Sequence, residues 1–160
     1  YSVYKHFPGH GATAGDTHQG YAYTDKTLDE LKQSELIPFE NAIRNNAAFI
    51  MAAHISAPRV TGDDTPASLS KTMITDILRG QMGYDGIVVT DAMNMGAVTE
   101  QYTSAQAAVK ALQAGADVVL MPEDFQEAYQ GVLDAVKDGT LTEQRIDESV
   151  TRIVTVKVHM

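Results

Sequence analysis

The sequence predicts a parallel α/β fold, and three observations carry that reading. Short unbroken apolar runs at Ala48 to Ala53 (AFIMAA), Gly86 to Thr90 (GIVVT) and Asp117 to Met121 (DVVLM) have the length and hydrophobicity of strands buried on both faces. Between them lie segments whose apolar residues recur at helical spacing, so β-loop-α units succeed one another. Titratable residues sit at the ends of the runs: His54 and Asp91 close two of them, and His6 closes an apolar start at Tyr1 to Tyr4. Such alternation implies parallel strands joined by right-handed crossovers.

Taken in order, residues 1 to 6 read as the first strand. Thr27, with Glu30 three residues later, has the pattern of a capping box and opens a helical stretch containing Leu28, Leu31 and Leu36. Pro38 opens a second helical segment through Phe39, Ala42 and Ile43, stopped at Asn45-Asn46. Residues 56 to 69, with Pro58, Gly62, Asp63, Asp64 and Pro66, are expected as a long loop. The spacing of Met73, Ile74, Ile77 and Leu78 predicts a helix from Ser70 to Gln81. A further helix starts near Ser104 and stops at Gly115, and Pro122 closes the DVVLM run. Two helices complete the chain, at about 124 to 137 before Gly139 and about 143 to 157 behind a Thr142 cap. Arg145 and Arg152, among Asp147 and Glu148, read as a solvated charged face.

With 160 residues the chain is read as a single domain, 1–160, with a real core. Its hydrophobic and charged fractions, 44% and 21%, are those of a globular protein. A net charge of -9 argues against nucleic acid as the main ligand. There is no cysteine, which excludes a disulfide framework and thiolate metal sites without choosing a compartment. No apolar run reaches the length of a membrane span.

The stretch richest in chemistry is Lys5-His6-Phe7-Pro8-Gly9-His10-Gly11-Ala12-Thr13-Ala14-Gly15-Asp16-Thr17-His18. Three glycines let its imidazoles be aimed without a helix or strand beneath them. Asp16 and His18 face the same way if the segment is extended, and a carboxylate beside an imidazole can fix its tautomer. The bland alternative is a solvated polar loop. A zinc site from His6, His10, His18 and Asp16 is conceivable in donor type, but Pro-Gly between the first two denies them a shared helical face. Phosphate cradling fails for want of P-loop or dinucleotide spacing. Asp91 straight after GIVVT reads either as a nucleophile at a strand mouth or as a turn cap. His6, Asp16, His18, His54 and Asp91 all fall at or just after a strand's carboxyl end, where a (β/α)8 barrel and an open doubly wound sheet both place their sites. At four units the pattern leaves both architectures open.

KHFPGHG followed by D-x-H resembles the signature of glycoside hydrolase family 3, in its NagZ-like β-N-acetylglucosaminidase group. Val88 to Ala97 (VVTDAMNMGA) resembles the family's nucleophile segment. Ala53-His54-Ile55, Pro66-Ala67-Ser68-Leu69-Ser70 and Ala114-Gly115-Ala116-Asp117 match in the same order. The resemblance implies half of a (β/α)8 TIM barrel, its C-terminal half with about strands 5 to 8. It further implies a retaining exo-β-N-acetylglucosaminidase acting on terminal GlcNAc, for instance in cell-wall muropeptides, by double displacement without a cofactor or metal. Asp91 would be the nucleophile, His18 the acid and base, and Asp16 its orienting partner. Lys5 and His6 would bind sugar hydroxyls, His54 and Met95 would line the pocket, and His10 would order its own loop. Phosphate in place of water would give phosphorolysis.

A half barrel exposes two sheet edges and an apolar face, so pairing as a homodimer or with a complementary barrel half is the physical expectation. The alternative to an active enzyme is therefore a catalytically incomplete half-barrel module that completes itself by association.

Overall fold

A computed structural model describes residues 1–11, 13 and 22–158. Its centre is a parallel sheet of β1 (Val3–Phe7), β3 (Phe49–Ala52) and β5 (Ile87–Thr90), in the order β1-β3-β5. The register runs Val3 to Phe49 and Ile50 to Val88, with an irregularity between Tyr4 and Phe7 where β1 approaches the first loop. A second, two-residue parallel pair joins β2 (Ala22–Tyr23) to β4 (Ile55–Ser56). Among the described residues the strands are parallel and the sheet is open, as expected of an α/β fold that does not close into a full barrel.

The DVVLM run departs from expectation. It lies parallel to β5, but through a single bridge, Val89 to Val118, with Thr90 N–H donating to the Val118 carbonyl at 3.0 Å. The Thr90 hydroxyl takes the next amide, accepting from Leu120 N–H at 3.0 Å, so a side chain replaces one rung of the ladder. AFIMAA also differs from a strand buried on both faces. Ile50 and Ala52 are fully buried, whereas Phe49 and Met51, on the opposite face by the two-residue period, are only half-buried.

The helices pack on the buried face. Thr27 caps α1 (Leu28–Lys32) with the expected capping box, and α2 (Ile37–Arg44) has proline in its first turn. Leu31, Leu36, Phe39, Ile50, Ile74, Leu78 and Val88 form the main core. The helix Thr72–Gln81 has wide π-type turns and presents Met73, Ile74, Ile77 and Leu78 inward. The stretch expected as a long loop is more ordered than its composition suggests: it contains β4, α3 (Pro58–Thr61) and a 3-10 turn at Ala67–Leu69. A short α4 (Gly96–Thr99) follows the Asp91 turn and was not expected. Beyond it come α5 (Ser104–Ala114), ended by Gly115 in the left-handed conformation, then α6 (Phe125–Lys137) and α7 (Glu143–Val158).

Arg145 and Arg152 overturn the reading of α7 as a solvated charged face. The Asp117 carboxylate is wholly buried and accepts from Arg79 Nη2 at 2.6 Å, Arg152 Nη1 at 3.2 Å, Ser149 Oγ at 2.7 Å and Val88 N–H at 2.9 Å. Arg145 donates to the Leu112 and Ala116 carbonyls at 2.9 and 2.6 Å. Burial pulls the Arg79 and Arg145 guanidiniums below their ordinary range, and the charge of Asp117 opposes that pull. This clasp ties α7 to the amino-terminal end of β5, opposite the ends that carry His6 and Asp91.

Candidate active site

Parallel packing brings the carboxyl ends of β1, β3 and β5 together, and with them His6, His54 and Asp91. β5 ends at Thr90 because its ladder is spent: the Asp91 amide still donates to the Ala52 carbonyl at 2.8 Å, after which the chain turns. Asp91 Oδ1 accepts from the Ala92 amide at 2.9 Å. Its other oxygen, Oδ2, faces His6 Nε2 at 3.9 Å. Both side chains remain partly exposed, at 29% for His6 and 16% for Asp91, so the pair is open to a ligand. The turn cap and the nucleophile readings of Asp91 are thus compatible: one oxygen steadies the turn while the other looks into the mouth.

His10 lies near His6, their ring centroids 6.0 Å apart and the planes nearly perpendicular. His10 Nδ1 meets the Thr13 hydroxyl at 2.8 Å, and that hydroxyl also lies 2.8 Å from the His10 carbonyl oxygen. His10 is thus bonded to Thr13 within its own loop. Gly9 has φ +131, and a Cβ there would lie 2.5 Å from Glu35 Cβ. Only glycine fits both that conformation and that approach. Glu35 in turn accepts from Lys26 Nζ at 2.6 and 2.8 Å. Glu35 thus meets both sides of the first loop, Gly9 at its Cβ and Cγ and Lys26 at its carboxylate. Asp16 and His18, expected to supply the acid/base pair, lie outside the described residues.

Lys5 is exposed at the end of β1, and Met95 is half-buried at the start of α4. Met93 is a core residue. His54 sits differently from the open pair: it is 1% exposed, with Nδ1 2.7 Å from Ser68 Oγ and Nε2 2.9 Å from the Ala92 carbonyl oxygen. Burial holds its pKa below the ordinary imidazole range, against the bond to Ala92 and the nearby charge of Asp91. Sequence reasoning assigned no part to Ser68 or to the Ala92 carbonyl. A serine fourteen residues beyond the histidine gives no local signal of the contact. Among the described residues no group of three or more metal-ligating side chains is assembled. A cavity of about 440 Å³ beside Asp85 and Arg152 lies at the opposite end of the strands and does not serve this site.

A carboxylate and an imidazole presented together at the carboxyl ends of a parallel sheet define an active-site arrangement of the α/β enzymes. The sequence profile described as the glycosyl hydrolase family 3 N terminal domain matches residues 1–156, and the chain belongs to that family. It is 40% identical over 124 residues to a beta-hexosaminidase of Chromobacterium violaceum, covering 78% of this chain and 34% of that protein. A beta-hexosaminidase A of Pseudoalteromonas piscicida is 30% identical over 99% of this chain and 30% of its own length. Among solved structures, a family 3 beta-N-acetylglucosaminidase from Paenibacillus sp. str. FPU-7 superposes with a TM-score of 0.94 at 40% identity, covering 97% of this chain and 30% of that one. The chain thus spans about a third of the length of these relatives.

Proposed function

We propose that this chain carries the catalytic side of a retaining exo-β-N-acetylglucosaminidase that hydrolyses terminal β-linked GlcNAc, with muropeptides as one substrate class. The observation that carries the reading is Asp91 at the mouth of the sheet, one oxygen tied to the Ala92 amide and the other turned towards His6. The chain's likeness to beta-hexosaminidases and to a beta-N-acetylglucosaminidase supports GlcNAc glycosides as the substrate class.

In the first step Asp91 Oδ2 attacks the anomeric carbon, and His18 protonates the departing glycosidic oxygen. In the second His18 takes a proton from water, which displaces the carboxylate and restores the original anomeric configuration. Asp16 orients His18 and stabilises its cationic form. Lys5 and His6 donate to sugar hydroxyls, and Met95 lines the pocket beside them.

The test is release of chromophore from an aryl β-GlcNAc glycoside by the 160-residue chain, with Asp91→Asn as control and the anomer of the first-formed sugar read by NMR. Release of the β anomer that disappears in the control supports the reading. Release of the α anomer, or activity surviving in Asp91→Asn, overturns it.

A second reading is favoured by a separate observation. β1 is an edge strand, with Tyr1, Val3 and Tyr4 exposed along it. Residues 1–160 then form the C-terminal half of the barrel and remain silent until a second copy or a complementary half covers that edge. Activity appearing only when the other half is added in trans distinguishes it.

A further inference from the structure

His54 has both ring nitrogens engaged, and the nature of one partner fixes where a proton sits. The Ala92 carbonyl can only accept, so His54 Nε2 must carry the proton. A neutral ring then offers Nδ1 as an acceptor to the Ser68 hydroxyl. Both partners belong to the framework of the site. The Ser68 amide donates to the Ala53 carbonyl at 2.9 Å, and the Ala53 amide donates to the Phe7 carbonyl at 2.8 Å. Ala92 is the residue whose amide holds Asp91 Oδ1. One short relay therefore runs from the end of β1 through Ser68 and His54 to both sides of Ala92.

We propose that His54 and Ser68 are a positioning pair: the Ala92 carbonyl requires the Nε2–H tautomer of His54, the Ser68 hydroxyl holds the ring through Nδ1, and the ring so held fixes the residue that aims the Asp91 carboxylate. The inference rests on the reading of Asp91 as nucleophile. It assigns His54 an action through Ala92 in place of direct contact with the sugar, for which a ring with both nitrogens engaged has no donor left. Ser68 is its necessary partner, because without the hydroxyl the buried Nδ1 has nothing to accept from and the ring keeps only one of its two anchors.

The first test needs no turnover. In the uniformly 15N-labelled 160-residue chain at neutral pH, long-range nitrogen–proton NMR spectra should show His54 as the neutral Nε2–H tautomer. Ser68→Ala should keep the Nε2–H tautomer, move the His54 Nδ1 resonance and shift the Asp91 and Ala92 amide signals. An Nδ1–H or cationic ring in the wild type, or Asp91 and Ala92 signals untouched by Ser68→Ala, overturns the pair. The second test is kinetic. His54→Leu, which keeps bulk but has no donor, should lower kcat by about 10- to 100-fold with KM within about twofold. His54→Gln, whose amide can donate to Ala92, should recover most of that loss. Equal losses in Leu and Gln, or a loss confined to KM, overturn the positioning role. A wild-type chain with no turnover would count against activity of this chain by itself, while the NMR result would still decide the pair.

Discussion

At the scale of single residues, the site separates groups that face solvent from groups that hold them. Asp91 belongs to the first set, and Asp91→Asn keeps its shape and its capacity to accept from Ala92 while removing the charge proposed to act as nucleophile. Turnover of the aryl glycoside should fall by at least about 1000-fold, with a melting temperature close to the wild type. A large drop in melting temperature would instead mark Asp91 as a folding residue. His54 belongs to the second set and makes a prediction about pH. Its pKa is held below its ordinary 6.5, so the unfolded chain binds this proton more readily than the folded one. Stability owed to the neutral ring is complete above about 6.5 and is lost as the pH falls from there towards the lowered value. Urea midpoints measured across that window should decline less steeply in His54→Gln than in the wild type; parallel declines would refute the assignment. Of these two residues the sequence announced Asp91, because a carboxylate straight after an apolar run is visible in one dimension. The role of His54 was hidden, because Ser68 and Ala92 reach it only through the fold.

At the scale of elements, capping and punctuation made most of the helices legible: Thr27 with Glu30, proline near the start of α2, and Gly115 after α5 all act where the residue types demand. What was not legible was a balance between local and distant bonding. The DVVLM run has a strand's composition, yet the Thr90 side chain takes one of its amides and a single bridge remains. The 56–69 stretch has a loop's composition, yet long-range bonds order it, among them Ser68 N–H to Ala53. Arg145, Ser149 and Arg152 are spaced to share one face of α7, but only the buried Asp117 turns that face inward. Asp117→Ala would leave three arginines without their common carboxylate, and the loss should be about 3 kcal/mol or more by urea denaturation; a loss below about 1 kcal/mol would show the arginines finding water instead. The α5–α6 pair offers a second test. A Cβ at Gly131 would stand 2.5 Å from Ala105 Cβ and 2.9 Å from its Cα. Gly131→Ala improves helix propensity by up to about 1 kcal/mol, yet the helices must separate, at a cost of about 1 to 3 kcal/mol. Net destabilisation is expected, and a more stable variant would mean that α6 shifts freely on α5.

At the scale of the whole molecule, the uneven cover of the sheet connects structure to association. One face is sealed by α1, α2 and the π-helix, while Phe49 and Met51 on the other are half-covered and Tyr1, Val3 and Tyr4 are exposed along the β1 edge. Met121 is exposed beyond the far side of β5, so both borders of the sheet carry apolar side chains into solvent. An edge strand with exposed apolar residues is a template for another chain. Sedimentation of the isolated chain should therefore show association that rises with concentration. Val3→Lys places a charge on that edge away from Asp91 and should shift the equilibrium towards monomer with little change in stability. Because the same edge strand carries Lys5 and His6, association through it and completion of the sugar pocket should be one event: activity per chain should rise with concentration in the wild type and fall in Val3→Lys. Activity independent of both concentration and the lysine would separate the edge from the site, and a monomer at every concentration would refute the pairing.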